Sequence, residues 1–417
     1  QIVTASSYGD AHNVAAAAAV KRVVDVPVMA VGRIHDPVLA EEILARGDAD
    51  LIAMARPLLA DPELPAKARA GRVSELRRCI SCQTCIDSME VGRMRCAINP
   101  QCGREGELEL SRAATPLRLS VVGGGPAGLE AARQAALRGH RVRLYERERH
   151  LGGAFRLAAT VHPENQPFLR FLQTQIERLP IDVQLGIDVD ADTIARSNPD
   201  AVIVASGARI AIPIIPGSDL PHVWSGPELR GLLSGDASSL AGKRLSAWRR
   251  WGVRLVLPGA SRLLTPERMR RLPGPWIPFG PRVAIVGGDL AAVELAEFLA
   301  EKGRRVRVFE SGDEIAPEVG LKRRTEHMDR LDRLGVSVNT GIEIEAISGT
   351  GLRLRGVGGG TPVDADTVIL AGRPEPDTSL FESIRERVPR TFAIGDCTGL
   401  GLVAKATDEA ARIVAAL

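Results

Sequence analysis

Aromatic residues make up only 3% of this sequence, and no stretch comes near eighteen uninterrupted apolar residues, so a membrane-spanning helix is not expected. The chain opens on Gln1 without a basic region leading into an apolar run, and the expectation is a soluble, cytoplasmic protein. Excess charge of one sign is also missing. With 54 Lys and Arg against 51 Asp and Glu, the net charge is +3 with no long single-sign block, and nothing points to a nucleic-acid or strongly acidic partner. Glycine, by contrast, is plentiful at 42 residues, and strings such as "VVGGG" and "IVGG" mark the tight strand-to-helix turns of an α/β fold. At 417 residues and 45% hydrophobic composition the chain exceeds one core, and two to four domains are expected.

Cysteine is scarce, six residues in all, but four of them fall within "RRCISCQTCIDSMEVGRMRCAINP" at 77–100: Cys79, Cys82, Cys85 and Cys96, with Cys102 just beyond. Three chemistries compete for such a run. A disulfide framework belongs to small, loop-rich chains in oxidising compartments, which long nucleotide-binding patterns and the lack of a signal-like segment argue against. Structural zinc usually takes two separated Cys-x2-Cys knuckles. A four-iron cluster draws thiolates from one tight loop plus a more distant position, and Cys-x2-Cys-x2-Cys supplies three such corners. The spacing favours the cluster and leaves Cys96 and Cys102 both open as the fourth ligand.

Beyond the cysteines, "LRLSVVGGGPAGLEAARQAALRGHRVRLYE" (117–146) reads as strand, glycine turn, helix and strand, a Rossmann βαβ unit. Gly123 makes the tight turn, Gly125 lets the backbone approach a pyrophosphate, Gly128 permits close helix–strand packing, and Glu146 is placed to accept from an adenosine ribose. The pattern recurs in "PRVAIVGGDLAAVELAEFLAEKGRRVRVFE" (281–310), with Glu310 as the ribose acceptor. There, however, Asp289 and Ala292 replace the second and third glycines. Asp289 would either repel a pyrophosphate or serve as an ordinary helix N-cap. The segment "AVIVASGAR" (201–209) and the C-terminal "RTFAIGDCTGLGLVAKATDEAARIVAAL" (390–417) have the look of flavoprotein strands, Asp396 being placed either to bond a flavin ribityl hydroxyl or to close an Asx turn. Cys397 has no neighbouring cysteine with which to form a redox pair.

The first seventy residues differ in kind. "VPVMAVGRIHDPVLAEEILARGDADLIAMARPLLADP" (26–62) alternates apolar strands with helices, and Gly32-Arg33 and Ala55-Arg56 close two strands where a (β/α)8 barrel commonly holds phosphate. A basic stretch at 241–280 contains three of the four tryptophans. It reads either as a membrane-surface helix or, preferably, as a linker whose Trp residues pack on the nucleotide domains.

Taken together, "GRI", "MARPLLADP", the cysteine loop with "INPQCGRE", "VVGGGPAGLEAAR", "LGGA" and "FAIGDC" resemble, in order, the iron–sulfur flavoenzymes typified by 2,4-dienoyl-CoA reductase and trimethylamine dehydrogenase. The resemblance implies that Gly32, Arg33, Ala55 and Arg56 grip the FMN phosphate and that Cys96 is the fourth ligand of a 4Fe-4S cluster. It likewise implies that Gly153 joins the FAD contacts and that electrons cross the cluster between FMN and an FAD or NAD(P)H half. The two-residue gap before Cys85 looks more like the amine dehydrogenase branch. Most of the family's barrel strands have no counterpart here, so the chain is expected to be truncated, and no catalytic residue is assigned.

The expected fold is α/β: the C-terminal remnant of a (β/α)8 barrel (1–75), an iron–sulfur cluster segment (76–110), and an FAD- or ADP-binding domain (115–235 and 373–417). The linker (236–280) and a second Rossmann-like, NAD(P)-binding domain (281–372) are inserted in that domain. The expected activity is NAD(P)H-driven reduction of an activated alkene, with amine oxidation and a non-catalytic nucleotide-binding fragment as alternatives. A small-molecule substrate and a possible homo-oligomer complete the expectation.

Overall fold

The computed structural model describes residues 6–234, 242–243, 265–274, 277–356 and 360–417. Most of the basic linker, with Trp248, Trp251 and Trp276, lies outside these described residues.

Two five-stranded parallel sheets dominate. The first runs, in spatial order, Thr391–Ala393, Ala201–Val204, Arg118–Val122, Arg141–Glu146 and Ile181–Leu185. Its strands are apolar because helices cover the middle of the sheet on both faces: Ala201, Val202, Ile203 and Val204 are all fully buried. Next to it, the helix Pro126–Leu137 starts at Gly125 with proline in its first turn and stops at Gly139, whose φ of 90° only glycine adopts readily.

The second sheet repeats this order with Val223–Ser225, Thr367–Leu370, Arg282–Val286, Arg305–Phe309 and Ser337–Asn339. A three-stranded antiparallel sheet, Ile344–Ser348, Gly351–Leu354 and Thr361–Asp364, is attached to it. The edge strand of the first sheet, Thr391–Ala393, comes from sequence beyond the whole second sheet. The two chain crossings between the units run side by side, Arg209–Ala211 pairing antiparallel with Arg373–Glu375.

The cores divide unevenly. One cluster joins Leu129, Leu144, Phe168 and Leu172 of the first unit to Ile80, Ala97 and Ile98 of the cysteine segment, so the thiol loop is built onto the first nucleotide unit. Each fully buried Leu, Ile or Phe among them contributes roughly 1.5–3 kcal/mol. The second unit has its own core around Ile285, Val293, Leu299 and Val308. Residues 6–75 form only a small core of Val14, Ala30, Ile34, Ala40, Ile43 and Ala49. Their two short parallel strands, Met29–Ala30 and Leu51–Ile52, leave Met29, Val31 and Leu51 at least half exposed.

Candidate functional site

The cysteine segment turns sharply through two non-glycine residues in the left-handed region, Ser81 (φ 51°) and Gln83 (φ 64°), before the helix Thr84–Glu90. This path brings Cys79, Cys82, Cys85 and Cys96 into the lining of one pocket, together with Arg56 and Ile98. Cys102 is buried but does not line it. None of the six cysteines is in a disulfide.

Burial, followed by the neighbouring Cys82, pushes the Cys79 thiol up to about 12 and raises Cys96 as well. Burial also raises Cys85, against which Arg56 acts in the opposite sense. Cys79, Cys85 and Cys96, raised in this way, favour the neutral thiol unless a positive centre stabilises the thiolate. The backbone amide of Ser81 already donates to Cys79 Sγ at 3.4 Å. Among the described residues no three His, Cys, Asp or Glu side chains converge as they would around a single metal ion. Four thiols lining one pocket are a donor set that a metal or iron–sulfur group could use.

The barrel-like segment meets this pocket. Parallel pairing of Met29–Ala30 with Leu51–Ile52 carries Gly32-Arg33 and Ala55-Arg56 to the same sheet edge. Gly32 has φ 128° and Arg33 φ 50°. The buried Arg33 guanidinium donates to Ser81 Oγ at 2.9 Å, Asp10 Oδ1 at 3.1 Å and Glu164 Oε1 at 2.9 Å, tying together three parts of the chain. His35 Nε2 lies 3.1 Å from the same Ser81 hydroxyl. Burial and the cations of Arg56, Arg33 and Arg78 push His35 down to about 3, so it is neutral at physiological pH.

At the first fingerprint, Gly123 (φ 107°) sits so close to Ala205 that a side-chain carbon would fall 2.2 Å from the Ala205 carbonyl oxygen. At Gly128 it would fall 1.9 Å from that of Gly123, whereas at Gly125 nothing lies within 4 Å. The turn is thus tight where packing demands it and open where a phosphate would approach. Glu146 Oε2 accepts from the Gly124 amide at 2.7 Å. Gly153, at φ 52°, faces Gly125 from the "LGGA" loop.

The second copy reproduces this backbone. Glu310 Oε2 accepts from the Gly288 amide at 2.6 Å, and Ala316 N bonds Gly288 O at 2.6 Å as Gly152 N bonds Gly124 O at 2.7 Å. Asp289 is the N-cap of the helix Leu290–Glu301, its Oδ1 accepting from Ala292 N at 2.8 Å. Burial, with Glu318 and Glu310 nearby, pushes Asp289 up to about 6 despite that bond.

The C-terminal turn Gly395–Thr398 has Asp396 Oδ1 accepting from Gly401 N at 3.1 Å, and burial raises this carboxyl. Lys405, in the first turn of the helix Val403–Ala415, donates to the carbonyls of Gly395 (2.6 Å) and Gly399 (2.5 Å) and to Thr398 Oγ1 (2.9 Å). In that helix Thr407 Oγ1 donates to Ala97 O at 2.8 Å, directly after Cys96. Ser81, Glu164, Lys405 and Thr407 are not evident from sequence. Their partners are 48 to 310 residues away, apart from those of Lys405, whose place near the "GDCTGLG" turn was the one available signal.

With this geometry in view, similarity to known proteins becomes informative. The pyridine nucleotide-disulphide oxidoreductase model matches residues 117–410. The chain belongs to that family. Residues 3–75 match the NADH:flavin oxidoreductase / NADH oxidase family, and the pairing identifies an iron–sulfur flavoenzyme of the 2,4-dienoyl-CoA reductase and trimethylamine dehydrogenase type.

An NADH oxidase of Thermoanaerobacter brockii is 33% identical over 402 residues, 94% of this chain and 56% of the relative. An N,N-dimethylglycine/sarcosine dehydrogenase of Chromohalobacter salexigens is 39% identical over 207 residues, 48% of this chain and 30% of the relative. A solved complex of 2-naphthoyl-CoA reductase with 2-naphthoyl-CoA superposes with TM-score 0.83 at 25% identity, over 100% of this chain and 58% of that one. The chain spans about half the length of the curated relatives it matches.

This oxidoreductase family carries FAD, FMN, NADH and a 4Fe-4S cluster. No helix among the described residues is long and apolar enough to cross a membrane.

Proposed function

We propose that this chain is the nucleotide-and-cluster half of an NAD(P)H-dependent iron–sulfur flavoenzyme that reduces an activated alkene, such as an enoyl thioester or an enone. The observation that carries this reading is the position of the four-thiol pocket: it shares a core with the first nucleotide unit on one side and meets the barrel-like loops through Ser81 on the other. When bound, the cofactors supply hydride transfer from the nicotinamide to FAD and single-electron transfer across a 4Fe-4S cluster to FMN.

In this reading Cys79, Cys82, Cys85 and Cys96 are the ligands. Gly123, Gly125, Gly128 and Gly153 admit the FAD pyrophosphate, Glu146 holds its ribose, and Asp396 a ribityl hydroxyl. Glu310 serves the nicotinamide nucleotide in a second unit inserted within the first, an arrangement supported by the late edge strand Thr391–Ala393 and the paired crossings. Gly32, Arg33, Ala55 and Arg56 form the FMN phosphate end. Because the Arg33 side chain is already engaged by Asp10 and Glu164, its contribution is the left-handed backbone and neutralised charge rather than a free guanidinium.

Alkene reduction is favoured by superposition of this whole chain on 58% of 2-naphthoyl-CoA reductase. Amine oxidation stands second, favoured by the two-residue gap before Cys85 and the dehydrogenase similarity. Unpaired thiols are in keeping with a cytoplasmic setting. The test is anaerobic titration of purified protein with NADH. Bleaching of flavin absorbance followed by a reduced-cluster paramagnetic signal is expected. Flavin reduction that never reaches the iron, with dithionite reducing it readily, would sink the proposed route.

A further inference from the structure

Arg77 stands two residues before Cys79, and it is buried at 8% exposure. Its Nη1 donates to Asn99 Oδ1 at 2.9 Å, three residues beyond Cys96, and its backbone amide donates to Asp61 Oδ2 at 2.9 Å. Asn99 is fixed in turn by donating to Leu59 O at 2.8 Å. The guanidinium lies 4.8 Å from the centroid of the Phe171 ring, which Arg133 also approaches, at 5.7 Å.

The carboxylates in this buried region are already matched. Asp61 is paired with Lys67 at 2.8 Å. Glu130, fully buried on the first fingerprint helix, accepts two bonds from Arg133 at 2.8 and 2.6 Å and one from Gln134 at 2.7 Å. Among the described residues Arg77 makes no ion pair, its side chain bonding instead to a neutral amide and an aromatic face. A buried cation without a counter-charge is costly, so its retention calls for a negative group nearby. Burial and Arg133 disfavour the Arg77 charge, and Glu130 and Asp61, which act the other way, are each shared with a second cation, Arg133 or Lys67, so the region is left with one positive charge in excess beside the thiol segment.

We propose that Arg77 is a charge-compensating positioning residue for the thiol-bound group, the fixed buried cation that favours the more negative, reduced form of a cluster held by Cys79, Cys82, Cys85 and Cys96. This inference rests on the ligand set proposed above. Net charge and hydrogen bonding around the sulfurs are recognised determinants of cluster potential. Adding one electron makes the group more negative, so removing the Arg77 charge disfavours reduction and lowers the midpoint. Arg56, which lines the pocket itself, acts in the same sense from another side.

The experiment is a paramagnetic-resonance-monitored redox titration of anaerobically purified protein, with iron and sulfide assayed on the same samples, for the unaltered chain, Arg77→Lys and Arg77→Gln. All three are expected to hold iron and sulfide. At a fixed applied potential Arg77→Gln should show a reduced-to-oxidised ratio at least tenfold lower, 59 mV for a one-electron couple, while Arg77→Lys keeps most of the original value. Loss of iron in Arg77→Gln with retention in Arg77→Lys also supports a role for the charge. An unchanged midpoint in iron-replete Arg77→Gln, or equal loss of iron in both variants, would overturn it and leave Arg77 as packing against Phe171. Absence of iron and sulfide from the unaltered chain would instead remove the ligand assignment on which the inference stands.

Discussion

At the first fingerprint turn Glu146 accepts from Gly124 across 22 residues, and at the second Glu310 accepts from Gly288 across the same 22, yet one following helix begins on bare Gly125 and the other on Asp289. The backbone of the two sites is therefore one solution used twice. Strand ladder, turn and strand-end carboxylate are held by the same hydrogen bonds. What differs is access for an anion: open space above Gly125, and a carboxylate that already satisfies the helix end at Asp289. The backbone of such a turn and the room it leaves for an anion are thus set by different residues. Among the described residues, moreover, the first unit and not the second shares its core with the thiol pocket.

The strongest way to break the equivalence is at the third glycine. A methyl group at Gly128 would meet the Gly123 carbonyl oxygen at 1.9 Å, backbone that cannot swing aside. Gly128→Ala is expected to cost at least about 1–3 kcal/mol and to release the flavin, read by thermal melting and by cofactor content after gel filtration. The second copy already carries Ala292 in that place, buried at 1% exposure. A Gly128→Ala protein with undiminished flavin would mean that the two turns are more alike than their glycines suggest.

Asp289→Gly sharpens the contrast. Loss of the cap should lower stability by only a few tenths of a kcal/mol, whereas relief of a like charge beside the pyrophosphate should be worth about 1–3 kcal/mol, roughly five- to a hundredfold in NADH affinity by calorimetry. An unchanged or weakened affinity would show that the carboxylate is turned away from the phosphates.

A smaller effect should appear with pH. Because burial pushes Asp289 up to about 6, the carboxyl takes up a proton as pH falls through that value, and the repulsion fades. NADH binding should tighten several-fold between pH 7 and pH 5.5, and Asp289→Gly should flatten this dependence. A slope that survives in the variant assigns the proton to another group.

Much of this organisation is legible in the sequence because it is local. A strand, a glycine turn and a helix announce themselves within thirty residues, and a carboxylate at the end of the next strand completes the unit. The thiol spacing is equally local, but it left Cys96 and Cys102 open, and chain folding brings Cys96 alone of the two into the pocket lining. Asp289 is the cap that its residue type suggested. Less legible are contacts between distant segments: Arg33 with Glu164 across 131 residues, or His162 packed on His327 with buried Glu294 and its partner Arg323 beside them. Such pairs carry no periodicity. The left-handed Ser81 was also hidden, since nothing in its residue type calls for φ 51°. A strand-end arginine looks the same in sequence whatever its partner, so the bonds of Arg33 to Asp10 and Glu164 could not be read there.

Iron and acid-labile sulfide in anaerobically purified protein measure directly what the four-thiol pocket holds. About four of each per chain are predicted, lost in Cys96→Ser and largely retained in Cys102→Ser. Zinc without sulfide, or loss of iron in Cys102→Ser with retention in Cys96→Ser, would contradict it.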